Sequence, residues 1–231
     1  LVSYTGTEEH VVIPDGVTKV AKNAFSDNDT LKSVTFPDSV KTIITGAIID
    51  CANLEKVTLP NNAVEFSGGD TYPMYLDALV NCGSGDKPVE VVIPEKLTTE
   101  YLHYNFLSGK NSSTTYFFNV SPDNERYSSD EYGMLYEEAK ISSNDGREKE
   151  GLVLLSINQS PMDYYEMPEN LIRIECCGQD DPISNIRTLK LNGNPEVLSS
   201  NFYLYMNPET SFTNLEKVIL PSELTTFEVE W

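Results

Sequence analysis

Short apolar segments that end in proline recur along the chain. Each has the form apolar residue, any residue, apolar residue, proline, and the copies end at Pro14, Pro37, Pro60, Pro94 and Pro221. Alternation with a period of two residues predicts a short strand. Proline ends the strand because it has no N–H to donate to the next one. The prolines at positions 14, 37 and 60 are spaced by 23 residues, and the next step, to position 94, is 34.

The positions between these prolines repeat as well. The octapeptide NLEKVTLP at 53–60 returns as NLEKVILP at 214–221. The first two units carry small or apolar residues in matching slots, namely Val20, Ala24, Phe25, Asn28 and Leu31 in the first and Ile43, Ala47, Ile48, Cys51 and Leu54 in the second. A period in the twenties is typical of leucine-rich solenoids, in which stacked units share one core. Each unit is predicted to hold a strand, a turn and a short helical segment that turns its Ala and Phe inward.

The repeat pattern breaks in the middle of the chain. Tyr132–Glu137 and Gly151–Ile157 predict the strands of a β-hairpin, with Ser142–Gly146 as its turn. The predicted fold is therefore an α/β repeat: an irregular, right-handed leucine-rich-repeat solenoid with short parallel strands and an inserted hairpin. One domain is predicted over 1–231, with the more regular repeats in 1–115, the hairpin insert in 116–158 and degenerate repeats in 159–231. Tyr4–Ile13 is the predicted N-terminal cap, and Phe227–Trp231 the predicted frayed end.

Two segments resemble a known family. Pro14–Pro37 (PDGVTKVAKNAFSDNDTLKSVTFP) resembles the BspA-type leucine-rich repeat, and Val120–Lys140 (VSPDNERYSSDEYGMLYEEAK) resembles the hairpin insert of many members. The resemblance implies a secreted or surface-anchored bacterial protein that binds host or microbial surface molecules in adhesion. It implies no reaction, and it supplies no catalytic or ligand residues because the repeat motif is structural.

The charge of the chain narrows the choice of partners. The net charge is −20, from 36 acidic and 16 basic residues, and the sequence contains no basic patch. Nucleic acid is therefore not an expected partner. The scattered acidic residues favour solubility outside the cell, while calcium or a cationic partner is the alternative. The sequence contains no run of about 18 apolar residues, so no membrane-spanning helix is predicted. The sequence as given opens without a signal peptide.

Motifs that would carry chemistry are missing from the sequence. No nucleophile elbow, Walker loop, zinc-protease motif or dinucleotide fingerprint is present, so we expect no enzyme, no catalytic residue, no cofactor and no bound metal. The acidic segment Asp123–Glu131 suits either calcium or turn formation, and turns are favoured. A carbohydrate-active enzyme with two placed carboxylates stays open, because sequence alone does not reveal a cleft.

The four cysteines lack zinc-type spacing. Cys51 and Cys82 fill the same repeat slot, where buried free thiols are favoured and a disulfide remains open. For the adjacent Cys176 and Cys177, one side chain is expected to face the core, and their redox state stays open.

Two kinds of residue predict a binding surface. An aromatic concentration in the middle of the chain suits protein or glycan contact, although packing of these rings under the hairpin is favoured. Outward strand positions form two columns, as on the sheet faces through which solenoids bind. The candidate residues are Tyr101, Tyr104, Tyr127, Tyr132, Lys56, Thr58, Lys190 and Lys217. The leading hypothesis is an extracellular interaction module, favoured as a monomer, for an unidentified protein or glycan. A spacer that presents another domain is the alternative.

Overall fold

The computed structural model describes residues 1–62, 65–67, 78–84, 87–99, 102, 114–142, 148–156, 158, 161–174, 186–192, 216–220 and 222. Every regular element among these residues is a strand, and the part of the chain described here contains no helix and so no helix that could span a membrane. The chain divides into two compact units, Leu1–Leu135 and Tyr136–Trp231. The division runs inside the predicted hairpin segment, and the single domain over 1–231 stays a prediction.

The strands are short and follow one another at turns. In chain order they are β1 (His10–Val12), β2 (Lys19–Val20), β3 (Phe25–Ser26), β4 (Ser33–Thr35), β5 (Thr42–Ile44), β6 (Ile48–Ile49), β7 (Lys56–Thr58), β8 (Glu65–Ser67), β9 (Leu79–Val80), β10 (Val89–Ile93), β11 (Tyr116–Val120), β12 (Tyr127–Ser129), β13 (Leu135–Ser142), β14 (Glu148–Ser156), β15 (Met162–Glu166), β16 (Leu171–Ile174), β17 (Ile186–Lys190) and β18 (Lys217–Ile219).

The first unit contains a parallel sheet built from the proline-ended segments. Its strand order is β1-β4-β7-β10-β11, and every neighbouring pair is parallel. Val34, Val57 and Val91 align across three strands, and all three are buried. Each coil adds one strand to this sheet, so each valine stacks on the equivalent valine of the next coil. This confirms the predicted short parallel strands and repeat stacking.

Two further parallel sheets complete each coil of the first unit. Their orders are β2-β5-β8 and β3-β6-β9. Ile43 of the first sheet, and Phe25, Ile48 and Leu79 of the second, are buried between the sheets. Each regular coil therefore has three extended sides around one apolar interior.

The prediction of a short helical segment in each unit is wrong. In the described residues, Phe25–Ser26 and Ile48–Ile49 are strands, so the α/β class does not hold there. Left-handed residues bound these segments: Asn23 (φ 57°) and Asp27 (φ 49°) in the first coil, and Gly46 (φ 65°) and Asp50 (φ 53°) in the second. Left-handed backbone interrupts a right-handed helix, and the residues between are too few for a helical turn. The right-handed course of the solenoid stays a prediction.

Residues 1–9 lie along the first coil, where the N-terminal cap is predicted. The Leu1 ammonium donates to the Lys19 carbonyl over 2.6 Å, and the Tyr4 N–H donates to the Ala24 carbonyl over 2.7 Å. The Tyr4 ring packs on buried Phe25 with its centroid 5.2 Å from that of the Phe25 ring. These contacts cover one end of the interior of the first coil.

The second unit contains the predicted hairpin strands and a parallel sheet of three strands. Strands β13, β14 and β16 are hydrogen-bonded neighbours in that order, and β15-β17-β18 is parallel throughout. The first hairpin strand starts at Leu135, later than the predicted Tyr132, because Asp130 and Gly133 (φ 73°) form a turn. Strand β14 covers most of the predicted Gly151–Ile157. Residues 143–147, which hold most of the predicted turn, and Phe227–Trp231 lie outside the described residues.

Candidate interaction surface

The outward side of the sheet β1-β4-β7-β10-β11 consists of two columns of side chains. Residues four positions before each proline form one column, and residues two positions before it form the other. The parallel register aligns His10, Ser33, Lys56 and Glu90 in the first column, and Val12, Thr35, Thr58 and Val92 in the second. Neighbouring members of a column are about 4.8 Å apart, which is the spacing between adjacent strands.

The first column pairs its own charges. Lys56 Nζ lies 3.0 Å from Glu90 Oε2, Asn119 Nδ2 donates to Glu90 Oε1 over 2.7 Å, and His10 Nδ1 lies 2.9 Å from Ser33 Oγ. Partial burial raises the pKa of Glu90, but the hydrogen bonds from Asn119 and Lys56 outweigh it, so the net shift is downward. Glu90 is therefore ionised and paired at neutral pH.

On strands β1, β4, β7 and β10 the second column is uncharged and β-branched, and β11 adds the exposed Asn119 beyond Val92. We call its β-branched members, Val12, Thr35, Thr58 and Val92, the Thr58 strip. Val12 at the edge is 72% exposed, and the other three are half-buried. Two heavy atoms on each Cβ restrict χ1, so these side chains lose little freedom when a partner covers them. The strip combines apolar methyl groups with threonine hydroxyls, next to a column in which the charges are paired.

The predicted lysines of the second unit lie on the sheet β15-β17-β18. The register aligns Tyr164, Thr188 and Lys217 in one column and Glu166, Lys190 and Ile219 in the other. Glu166 accepts hydrogen bonds from Lys190 Nζ (2.7 Å), Asn192 Nδ2 (2.6 Å) and the Tyr164 hydroxyl (2.8 Å).

These donors lower the pKa of Glu166 to about 2, with Lys190 as the largest cause. Lys190 is thus part of an intramolecular network, whereas Lys217 is exposed.

The aromatic candidates do not form one surface in the described residues. Tyr101 and Tyr104 lie outside them. Tyr127 is 1% exposed, and its hydroxyl donates to the Thr99 carbonyl over 2.6 Å. Its ring is therefore a core element that joins segments 28 residues apart, and its prediction as a contact residue is wrong. Tyr132 is 39% exposed and is the aromatic candidate that a partner can reach.

The acidic segment Asp123–Glu131 forms turns on either side of strand β12. Asn124 Oδ1 accepts hydrogen bonds from the N–H groups of Arg126 and Tyr127, and Asn124 Nδ2 donates to the carbonyls of Pro94 and Leu97. Asp130 Oδ1 accepts from the N–H groups of Tyr132 and Met134. No group of three or more His, Cys, Asp or Glu side chains in the described residues is arranged to hold a metal ion. Turn formation therefore accounts for the roles of Asn124 and Asp130.

Cys51 and Cys82 are buried free thiols, which confirms the favoured hypothesis for this slot. Cys176 and Cys177 lie outside the described residues.

Several surface residues were missed at the level of sequence. His10 and Val12 occupy the outward columns at the same 23-residue step as Ser33 and Thr35, so the spacing was sufficient to find them. Tyr164 and Glu166 stand four and two positions before Pro168, which is the same signal. Asn119 carries no such signal because its strand, β11, does not end in proline.

Comparison with known proteins gives one sequence match and several structural ones. The model of the BspA type leucine rich repeat region (6 copies) matches residues 3–69. No curated protein matches the chain.

Three solved structures are similar over much of the chain. The pneumococcal vaccine antigen PcpA is 15% identical, with a TM-score of 0.34, over 96% of this chain and 63% of its own. A leucine rich cell surface protein from Faecalibacterium prausnitzii A2-165 is 17% identical, with a TM-score of 0.28, over 97% of this chain and 72% of its own. A leucine-rich repeat protein from Eubacterium ventriosum ATCC 27560 is 17% identical, with a TM-score of 0.35, over 79% of this chain and 50% of its own. The chain thus spans less than two thirds of PcpA and half of the Eubacterium protein.

Proposed function

We propose that this chain, whose residues 3–69 match the BspA type leucine rich repeat region, is a non-enzymatic interaction module at the bacterial cell surface or outside the cell. Its partner is a protein, and the contact is made by the outward side of strands β4, β7 and β10. The observation that carries this proposal is the Thr58 strip, in which uncharged β-branched side chains from successive coils stand in register.

The physical properties of the strip suit a protein partner. Association costs free energy for every side chain that is immobilised, and β-branched residues lose less of this freedom than long polar ones. The charges beside the strip are already paired, as in Lys56–Glu90. A partner that covers the strip therefore does not bury an unpaired charge. Contact with methyl groups then supplies affinity, and the threonine hydroxyls supply directional hydrogen bonds.

The biological setting follows from the family match and the charge. An acidic chain with a net charge of −20 attracts basic surfaces at long range and speeds their association. Together with the repeat family, this supports adhesion to host or microbial surface molecules as the role of the binding event.

The test uses one substitution on the strip and a matched one away from it. Thr58 lies in β7 between Thr35 and Val92, and Thr42 lies in β5 between Lys19 and Glu65, in a different sheet. Both threonines are half-buried, central in their sheets and paired in register. Solid-phase binding of the purified chain is measured against matrix proteins, mucins and glycans, at low and high salt and with calcium or a chelator.

The Thr58→Arg variant is expected to weaken saturable protein binding by about tenfold or more, because a bulky charge interrupts the strip. The Thr42→Arg variant keeps the wild-type affinity. Equal losses of affinity in both variants, or no loss in either, would show that the Thr58 strip is not part of the binding surface. Binding to glycans alone would replace the protein partner by a carbohydrate. A folded wild-type chain that binds nothing would support the spacer hypothesis.

A further inference from the structure

Two buried cysteines are direct neighbours on successive coils. Strands β6 and β9 pair Ile48 with Leu79 and Ile49 with Val80. The same register continues beyond the strands, because the Asp50 N–H donates to the Val80 carbonyl over 2.9 Å and the Gly83 N–H to the Cys51 carbonyl over 3.1 Å. Cys51 and Cys82 therefore stand side by side in a parallel ladder.

The spacing of this ladder matches the geometry of a disulfide. Neighbouring parallel strands are about 4.8 Å apart, and disulfides join Cα atoms that are about 4.4–6.8 Å apart. The two thiols are close enough for each to shift the pKa of the other. Each also lies near a carbonyl of its own coil, with Cys51 Sγ 3.5 Å from the Ile49 oxygen and Cys82 Sγ 3.3 Å from the Val80 oxygen. The two thiols are thus neighbours that no covalent bond joins.

The two thiols differ in acidity, and both side chains are buried. The neighbouring Cys82 lowers the pKa of Cys51, whereas the neighbouring Cys51 and burial raise the pKa of Cys82. Cys51 is therefore the thiol that ionises first and attacks. Its neighbours Asp50 and Ala52 are exposed at the corner of the coil, so a local opening there brings a small reagent to Cys51.

We propose that Cys51 and Cys82 are a redox-active dithiol, which a low-molecular-weight disulfide converts into a disulfide between successive coils. The Cys51 thiolate attacks one sulfur of the small disulfide and releases a thiolate. The Cys82 thiol loses its proton and attacks the Cys51 sulfur of the mixed disulfide, and the second small thiolate leaves. The two protein thiols are oxidised, the small disulfide is reduced to two thiols, and these carry away the two protons.

The disulfide would tie neighbouring coils of the first unit together. It closes the chain between residues 51 and 82, which restricts the unfolded chain and raises stability. An exterior setting favours the oxidised form, whereas a reducing compartment favours the dithiol seen in this structure. This inference concerns the stability of the scaffold and is independent of which partner the chain binds.

The experiment combines mass mapping with thermal unfolding. The whole chain is incubated with oxidised glutathione, alkylated to block remaining thiols and digested with trypsin. Lys56 lies between the two cysteines, so they appear in separate peptides unless they are linked. We expect a linked pair of peptides that lacks two hydrogen atoms, in monomeric protein, and a rise in Tm of several degrees that a reductant reverses.

Variants assign the effect to this pair. Cys51→Ala and Cys82→Ala should each lose both the linked peptides and the rise in Tm, whereas Cys176→Ala/Cys177→Ala keeps both. Alanine is small and apolar, so it fits these buried positions. The mass mapping of linked peptides in the wild-type protein remains a valid test even if one variant fails to fold. Free thiols at positions 51 and 82 after oxidation, a stable mixed disulfide with glutathione, or a link between two chains would each overturn the proposal.

Discussion

Two of the parallel sheets, β1-β4-β7-β10-β11 of the first unit and β15-β17-β18 of the second, differ in how their side chains stack. In the sheet β1-β4-β7-β10-β11, the middle column carries a fully buried valine on each inner strand, namely Val34, Val57 and Val91. At the two edges of the sheet, Val11 is half-buried and Phe118 is buried. In the sheet β15-β17-β18, the corresponding column is Tyr165, Leu189 and Val218, and its last member is 36% exposed. The regular repeat therefore places the same residue type at this core position on its inner strands, whereas each strand of the second sheet places a different one.

The outward faces of the two sheets also carry different kinds of side chain. Uncharged β-branched residues form the Thr58 strip, while Glu166, Lys190, Asn192 and Tyr164 form a hydrogen-bonded network on the second sheet. Next to that network, Arg187 lies 3.4 Å from Asp163 and 3.1 Å from Glu216. The first sheet holds its paired charges, such as Lys56 and Glu90, in the column beside the Thr58 strip. The second sheet adds polar cross-strand contacts, which contribute little each when exposed.

One substitution made in both sheets tests this contrast directly. Val57→Ala removes two methyl groups from a fully buried site and should lower the free energy of unfolding by about 2 kcal/mol, through lost burial and a residual cavity. Val218→Ala, at the equivalent column position, should cost less than about 1 kcal/mol because Val218 is already partly exposed.

Hydrogen exchange of the β7 and β18 amides measures each sheet by itself, which a single melting curve for two compact units does not. Equal costs at the two sites would contradict the difference in core packing.

A smaller effect is expected at a corner of the second coil. Gly46 (φ 65°) stands in the slot that Asn23 (φ 57°) fills one coil earlier, and the Asn23 N–H donates to the Gly46 carbonyl over 2.7 Å. A Cβ at Gly46 would approach the Lys22 side chain no closer than 3.8 Å, so the cost is in the backbone alone.

Gly46→Ala should destabilise by about 1 kcal/mol, and Gly46→Asn by about half as much, since asparagine tolerates this conformation. Chemical denaturation of the two variants gives the comparison. An alanine variant as stable as the asparagine variant would show that the left-handed corner is not strained.

These corners also explain what the sequence could and could not reveal. The strands were predictable because valine, any residue, apolar residue, proline is a strong local signal, and β4, β7, β10 and β18 all lie where it places them. The sides next to them were misassigned as helical because Ala24-Phe25 and Ala47-Ile48 suit either structure. The deciding residues, Asn23, Asp27 and Asp50, carry only a weak preference for left-handed backbone.

The candidate surface was predictable in part for a related reason. Lys56 and Thr58 face outward because strand alternation fixes the side on which they lie. The role of Tyr127 was not predictable, because its hydroxyl bonds to a carbonyl 28 residues away in a segment without a repeat signal. A local pattern gives the direction of a side chain within its strand, but it does not give what a distant loop places over it.

The smallest effect concerns the polar network of the second sheet and depends on pH. The pKa of Glu166 is lowered from 4.5 to about 2. Because the pKa is lower in the folded chain, the contribution of Glu166 to stability is present above pH 4.5 and is lost as the pH falls towards 2. Carbon-detected NMR titration of the Glu166 carboxyl should show this low pKa directly.

Lys190→Met should raise the pKa of Glu166 more than Asn192→Ala, since Lys190 is the largest cause of the shift. Tm should fall less steeply between pH 4.5 and 2 in Glu166→Gln than in wild type. A wild-type carboxyl that titrates at 4.5 would mean that solvent screens the network. The second sheet would then rely, like the first, on its buried column alone.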